Sequence, residues 1–178
     1  CLICSNEGFE SLKDIPKIAK ALNDKRGFFF IGRGYSFPMA LEGALKLKEI
    51  AYLHAEGYAA GELKHGPIAM IDKDMVVVVL APDDAWREKT ISNLQEVKAR
   101  DAAILGVGEP SDSALQKLCD HWVSLPGVSK TAEKEKLSAS LYPFLIGPII
   151  QLLAFEIAQL KETDIDQPRN LAKSVTVE

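Results

Sequence analysis

The chain has 178 residues, of which 47% are apolar and 26% charged, and its net charge is −4. That length supports one domain with its own core, and the composition is ordinary for a globular protein. The small acidic surplus, with no basic tract, excludes nucleic acid or an anionic membrane as the expected partner.

Residues 10–22, ESLKDIPKIAKAL, read as an amphipathic lead-in helix. GFFFIG at 27–32 is a short apolar strand, and Gly32-Arg-Gly-Tyr-Ser36 turns the chain into a helix running through Leu53, with Ser36 as its expected N-cap. Residues 54–68 are punctuated by Gly, Ala and Pro and read as loop, GELKHGP included. DMVVVVLAP at 74–82 is a buried strand, followed by the polar helix DAWREKTISNLQEVKARD. AAILGVG at 102–108 is a strand, a short helix lies near 112–118, and HWVSLPG at 121–127 is a further strand. A long apolar helix covers about 136–161, and KETDIDQPRNLAKSVTVE closes the sequence.

Apolar strands alternating with helices predict an α/β fold. The expected architecture is a three-layer αβα sandwich with a mostly parallel sheet of four or five strands, in a flavodoxin-like order beginning 2-1-3. Ligands in such sheets sit at the carboxyl ends of strands where the order switches. This directs attention to residues 32–36 and to the segment after Leu80.

Several features invite readings the surrounding residues do not support. Three cysteines, an odd number, argue against a disulfide framework and fit a reducing, cytoplasmic setting. The opening CLICSNEGFESLKDIP has neither the basic region nor the apolar run of a signal peptide. Cys1 and Cys4 have C-x-x-C spacing but no second pair to complete a zinc site, and a domain edge is expected instead. LYPFLIGPIIQLLAFEIAQL is long enough for a bilayer, yet it holds two prolines, Gln151, Glu156 and Gln159, so a buried helix is expected. Gly32-x-Gly34 lacks the third glycine of a dinucleotide fingerprint, since position 37 is Phe37. Asp83 and Asp84 stand where a phosphate loop would want Ser, Thr or Gly, so any phosphate is held elsewhere.

Three other places can carry chemistry. Glu42, Lys46 and Glu49 are spaced i, i+4, i+7 in the apolar stretch MALEGALKLKEIAYL. At about 100° per residue they share a stripe roughly 60° wide. Ordinary i,i+4 pairing explains such a stripe, and so does a carboxylate base tuned by a neighbouring lysine. His65, ahead of a Gly-Pro turn, has the pKa of a proton shuttle, and a solvated loop histidine fits as well. His54 and His121 flank apolar segments and read as structural; no histidine pair has metal spacing. In the tail, Arg169 and Lys173 would share a face if helical, and the arginine would then depress the lysine's pKa toward Schiff-base chemistry. A frayed end is the other reading.

Two long blocks, LEGALKLKEIAYLHAEGYAAGELKHGPIAMI and DIDQPRNLAKSVTVE, resemble the glucosamine-6-phosphate synthase family, the isomerising glutamine–fructose-6-phosphate aminotransferases. The resemblance runs from about Phe28 to Glu178 and is weak over 1–25 and 84–135. It points to the second of two sugar-isomerase (SIS) domains. It implies a lead-in segment at 1–25, a SIS domain at 26–162 and a catalytic tail at 163–178. It also implies that fructose 6-phosphate and glutamine-derived ammonia become glucosamine 6-phosphate. By motif, Lys173 would form the Schiff base with the open-chain ketose, and Glu49 would move the proton between C1 and C2. His65 would assist ring opening, reaching into a neighbouring subunit's site. Glu42, Lys46, Arg169 and Ala172 would support or bind the substrate.

No cofactor and no metal are implied. The implied partners are the glutaminase and first SIS domains of the same enzyme and a second copy in a homodimer, with no nucleic acid and no membrane. Two departures matter. Cys1 is followed by Leu-Ile-Cys and does not fit the family's glutaminase nucleophile, and the Ser/Thr-rich phosphate loop is absent. Weak or no turnover by this chain alone is therefore expected, and a non-catalytic sugar-phosphate-binding SIS module is the alternative.

Overall fold

The computed structural model describes Glu10, residues 12–125 and residues 138–169. Five parallel strands form one sheet: β1 (Gly27–Gly32), β2 (His54–Ala59), β3 (Met75–Ala81), β4 (Ala103–Gly108) and β5 (His121–Ser124), in the order β2-β1-β3-β4-β5. Helices α1 (Ile15–Leu22), α2 (Ser36–Ala51), α3 (Arg87–Lys98), α4 (Ser113–Gln116) and α5 (Tyr142–Leu160) cover the two faces, giving the expected three layers. The order switches between β1 and β3.

The strands form where the chain can be buried on both faces. All six residues of β1 and all seven of β3 are buried, as a parallel sheet covered on both sides requires. Side-chain alternation then divides the core. Phe28, Phe30, Val76, Val78, Leu105 and Val107 pack under α1, α2 and α5. Phe29, Ile31, Val77, Val79 and Ile104 pack on the other face with Leu94 and Val97 of α3 and Leu115 of α4. Burying one such phenylalanine contributes roughly 1.5–3 kcal/mol.

The order does begin 2-1-3, but its second strand is a segment the sequence reads as loop. HAEGYA has only one buried residue, Ala55, so it shows none of the apolar run that marks β1 and β3. It becomes a strand because β1 offers its edge, pairing Gly27 with His54 through to Gly32 with Ala59. Two glycines allow α2 to lie close over this pair. A Cβ on Gly43 would sit 2.6 Å from the Phe30 ring, and one on Gly57 would sit 2.7 Å from the Ala40 backbone.

Other boundaries also move. Ser36 lies inside α2, whose N-cap is Tyr35, and the buried Ser36 hydroxyl has no hydrogen-bond partner among the described residues. GELKHGP is not a plain loop but two 3₁₀ turns, Ala60–His65 and Pro67–Met70. Ala139–Leu160 is long and apolar enough to cross a bilayer; Leu145, Ile146, Ile149, Ile150, Leu153 and Ile157 nonetheless pack into the core. Phe144 and Phe155 face outward. Cys1 and Cys4 lie outside the described residues. Cys119 is a free, half-buried thiol pushed up to about 12 by burial, which makes it unreactive near neutrality.

Candidate active site

In a parallel β-α-β unit the helix runs back against the strands. Thus α2 starts at the carboxyl edge of the sheet and ends at the amino edge. Glu49 lies near that far end, about 20 Å along the axis from Ser36. Helices α1 and α5 also end at the amino edge, where Lys161 Nζ donates to Asn23 O at 3.2 Å.

The charged stripe is assembled as its spacing predicts. Lys46 Nζ lies 2.6 Å from Glu49 Oε2 and 3.7 Å from Glu42 Oε1. The first is a charge-assisted hydrogen bond and the second only an ion pair. The three side chains retain 29%, 27% and 38% of their exposure, so they are neither buried nor fully solvated. The hydrogen bond to Glu49 raises the Lys46 pKa, helped by the charges of Glu49 and Glu42 and opposed by burial. The ammonium therefore stays charged beside the carboxylate. The helix around them is less buried than its composition suggests: Leu41 and Leu45 are exposed, while Ala40, Gly43, Ala44, Leu47 and Ala51 face the sheet.

The start of the tail meets the same end of α2. Thr163 Oγ1 donates to Ile50 O at 2.5 Å and lies 3.1 Å from Ala158 O. Arg169 N donates to the Tyr52 hydroxyl at 2.7 Å, and the Arg169 guanidinium carbon lies 4.4 Å from the Tyr52 ring centroid. The guanidinium thus stacks on Tyr52, and the segment up to Arg169 is turn and bend rather than helix. Lys173 and Ala172 lie outside the described residues. Sequence reasoning missed Tyr52 and Thr163. The available signal for Tyr52 was a helix end without Gly or Asn.

The fold does not bring His65 to this stripe. His65 follows β2 at the carboxyl edge, and its turn tucks Ala60 and Leu63 into the core on the face opposite α2. Its side chain is 62% exposed, with Nε2 3.9 Å from Glu62 Oε2, too long for a hydrogen bond. His54, expected to be structural, is exposed at the edge of β2 and pairs with Glu56 at 3.3 Å.

The carboxyl edge, where ligands usually enter such sheets, is acidic. A cavity of about 310 Å³ there is lined by Asp83, Arg87, Glu109, Ser111, Asp112 and Ser113. Arg87 is engaged by Asp112, with Nη2 and Nε 2.6 and 2.7 Å from Oδ2, and by Glu88. The Tyr142 hydroxyl is pushed well above its ordinary range by burial and then by Glu109. The turn at 32–36 is also filled: a Cβ on Gly34 would lie 2.7 Å from the Trp86 ring. Among the described residues no group of His, Cys, Asp or Glu is arranged to hold a metal ion.

Comparison with known proteins places the fold. The family described as "SIS domain" matches residues 21–147. Glutamine–fructose-6-phosphate aminotransferase (isomerising) of Agrobacterium fabrum is 50% identical over 165 residues, covering 92% of this chain and 26% of that protein. The enzyme of the same name from Thermotoga maritima is 48% identical over 164 residues, again 92% of this chain and 26% of the relative. The chain thus spans about a quarter of the length of these relatives. The C-terminal domain of glucosamine-fructose-6-phosphate aminotransferase from Francisella tularensis superposes with a TM-score of 0.73 at 37% identity, over 90% of this chain and 43% of that one. With its five-stranded parallel sheet and a match over most of its length, the chain belongs to the SIS domain family.

Proposed function

We propose that this chain is the isomerase part of a glutamine–fructose-6-phosphate aminotransferase, an enzyme making glucosamine 6-phosphate from fructose 6-phosphate and glutamine-derived ammonia. The Lys173 amine condenses with the C2 carbonyl of the open-chain ketose and releases water. Ammonia displaces the lysine and leaves an imine at C2. Glu49 removes a proton from C1, giving an enaminol, and returns it to C2 while the O1 hydroxyl proton passes to the imine nitrogen, so that C1 becomes the aldehyde and C2 carries the amine. Lys46 holds the Glu49 carboxylate in place, and Glu42 completes the stripe.

The observation that carries this reading is the Glu42–Lys46–Glu49 cluster, half-buried along α2 from its middle toward the end where the chain leading to Lys173 is tethered. The separation of His65 from that cluster fits a role in a neighbouring subunit's site, within a cytoplasmic homodimer. Carboxylates at the carboxyl edge disfavour a phosphate there, so the phosphate grip falls to the preceding SIS domain. The same acidity weighs against a stand-alone sugar-phosphate-binding module.

Two measurements test this. Titration of the chain with fructose 6-phosphate, then borohydride reduction and peptide mapping, is expected to show millimolar or no binding and no adduct. Tight binding with an adduct on Lys173 would mean the chain holds a whole site. In a chimera carrying this segment in place of the matching quarter of the Thermotoga maritima enzyme, Glu49→Gln should lower kcat by on the order of a hundredfold or more. An active chimera indifferent to both Glu49→Gln and Lys173→Arg would refute the assignment.

A further inference from the structure

Tyr52 ends α2 in the left-handed conformation, with φ 53° and ψ 30°. Its N–H and that of Leu53 both turn back to Leu47 O, which closes the helix. Glycine or asparagine normally takes such a position, because a Cβ there is unfavourable. A bulky aromatic residue in this conformation points to a demand on its side chain.

The side chain has such a demand, and it is met by one residue. The Tyr52 hydroxyl accepts the Arg169 backbone N–H at 2.7 Å, and the ring carries the Arg169 guanidinium at 4.4 Å. One contact fixes the backbone of the tail and the other fixes a side chain, so together they set both position and direction. Thr163 adds a tether at Ile50 O, one residue beyond Glu49. Lys173 follows Arg169 by four residues, and four extended steps span at most about 14 Å. Anchoring Arg169 therefore bounds the distance of Lys173 from the end of the helix that bears Glu49.

We propose that Tyr52 is a positioning residue that clamps the tail at Arg169, four residues ahead of Lys173, against the end of the helix that bears Glu49. The clamp stands on the contacts above; the purpose given to it rests on the roles proposed for Lys173 and Glu49. Tyr52 itself touches no reacting atom. It acts by limiting where the lysine can be, and effective concentration is sensitive to displacements of about 1 Å.

Two substitutions separate the clamp from the fold. Tyr52→Phe keeps the ring and removes the acceptor. Tyr52→Gly removes both contacts but suits the left-handed backbone, so the helix end is retained. In the full chain, hydrogen exchange of the Arg169 amide should quicken roughly two- to tenfold in the Phe variant, from the loss of one hydrogen bond, and further in the Gly variant. Exchange of the β1, β3 and β4 amides should stay unchanged. Equal Arg169 exchange in all three proteins, or acceleration spread evenly over the sheet, would overturn the clamp.

In the active chimera, the Gly variant should lose roughly ten- to a hundredfold in kcat with KM within about twofold, because the phosphate grip lies elsewhere, and the Phe variant should fall between. Loosened Arg169 with kcat intact would overturn the positioning role. An inactive chimera with Tyr52 in place would instead count against the function reading, while the exchange experiment still decides the clamp.

Discussion

The two edges of the sheet use their charged groups differently. At the carboxyl edge, Asp112 grips Arg87 by two nitrogens and also caps α4 by accepting the Leu115 N–H at 3.0 Å. At the amino edge, Lys46 is held by one close carboxylate and one distant one, all three about a third exposed, with the tail tied down beside them. The first arrangement uses its cation to hold loops together. The second leaves a carboxylate and an ammonium side by side on a helix flank that solvent can reach. The lesson is that the usual ligand edge of a doubly wound sheet can be given over to structure, while a helix flank becomes the place for chemistry.

If that contrast is right, its largest signature is in stability at the carboxyl edge. Asp112→Ala would strand Arg87 and uncap α4 at once. Breaking a buried pair costs about 3–5 kcal/mol and a lost cap about 1 kcal/mol. Because Arg87 retains 21% of its exposure and keeps Glu88 nearby, a loss of roughly 2–4 kcal/mol is expected. Urea denaturation measures it. A loss below about 0.5 kcal/mol would mean that the carboxyl edge is not structural, and the contrast would fail.

A smaller effect is expected where the tail meets α2. Thr163→Val keeps the side-chain shape and removes the hydroxyl that donates to Ile50 O. One hydrogen bond is worth roughly 0.5–1.5 kcal/mol, and the loss should appear as faster exchange after residue 160 more than as a shift in the global transition. Equal destabilisation of the sheet and the tail would show that the tether belongs to the core, and the amino edge would then resemble the carboxyl one.

The edges also differ in how far they can be read from residues alone. The strands β1, β3 and β4 announce themselves because they are apolar on both faces. The strand β2 does not, because it lies at the sheet edge and its fit depends on Gly57 meeting α2. The stripe on α2 follows from spacing, and Asp83 and Asp84 warn of an acidic carboxyl edge. Arg87, Glu109 and Asp112 are brought together only by the sheet, from segments with no shared pattern. Tyr52 and Arg169 are 117 positions apart; Arg169 is legible beside Lys173, and Tyr52 as a helix end without Gly or Asn, but nothing local pairs the two. Likewise, only the topology shows that His65 and Glu49 stand at opposite ends of the domain, since their proximity in sequence suggests the reverse.

The smallest predicted effect is the most specific to the stripe. Lys46→Met removes the cation between Glu42 and Glu49, and for a partly exposed ion pair the cost is about 0.2–1 kcal/mol. The pH dependence identifies its origin. The folded state raises the Lys46 pKa above its ordinary 10.5, through the hydrogen bond to Glu49 first. A pKa raised on folding contributes stability that is complete below the unfolded value and lost as pH rises through the folded one. The stability difference between the wild type and Lys46→Met should thus be constant near neutrality and shrink only above about pH 10.5. It should shrink also with salt, because the pair is within reach of solvent. A difference that persists unchanged at high pH would assign the loss to packing of the lysine's methylenes rather than to its charge, and the stripe would then be a structural feature like the opposite edge.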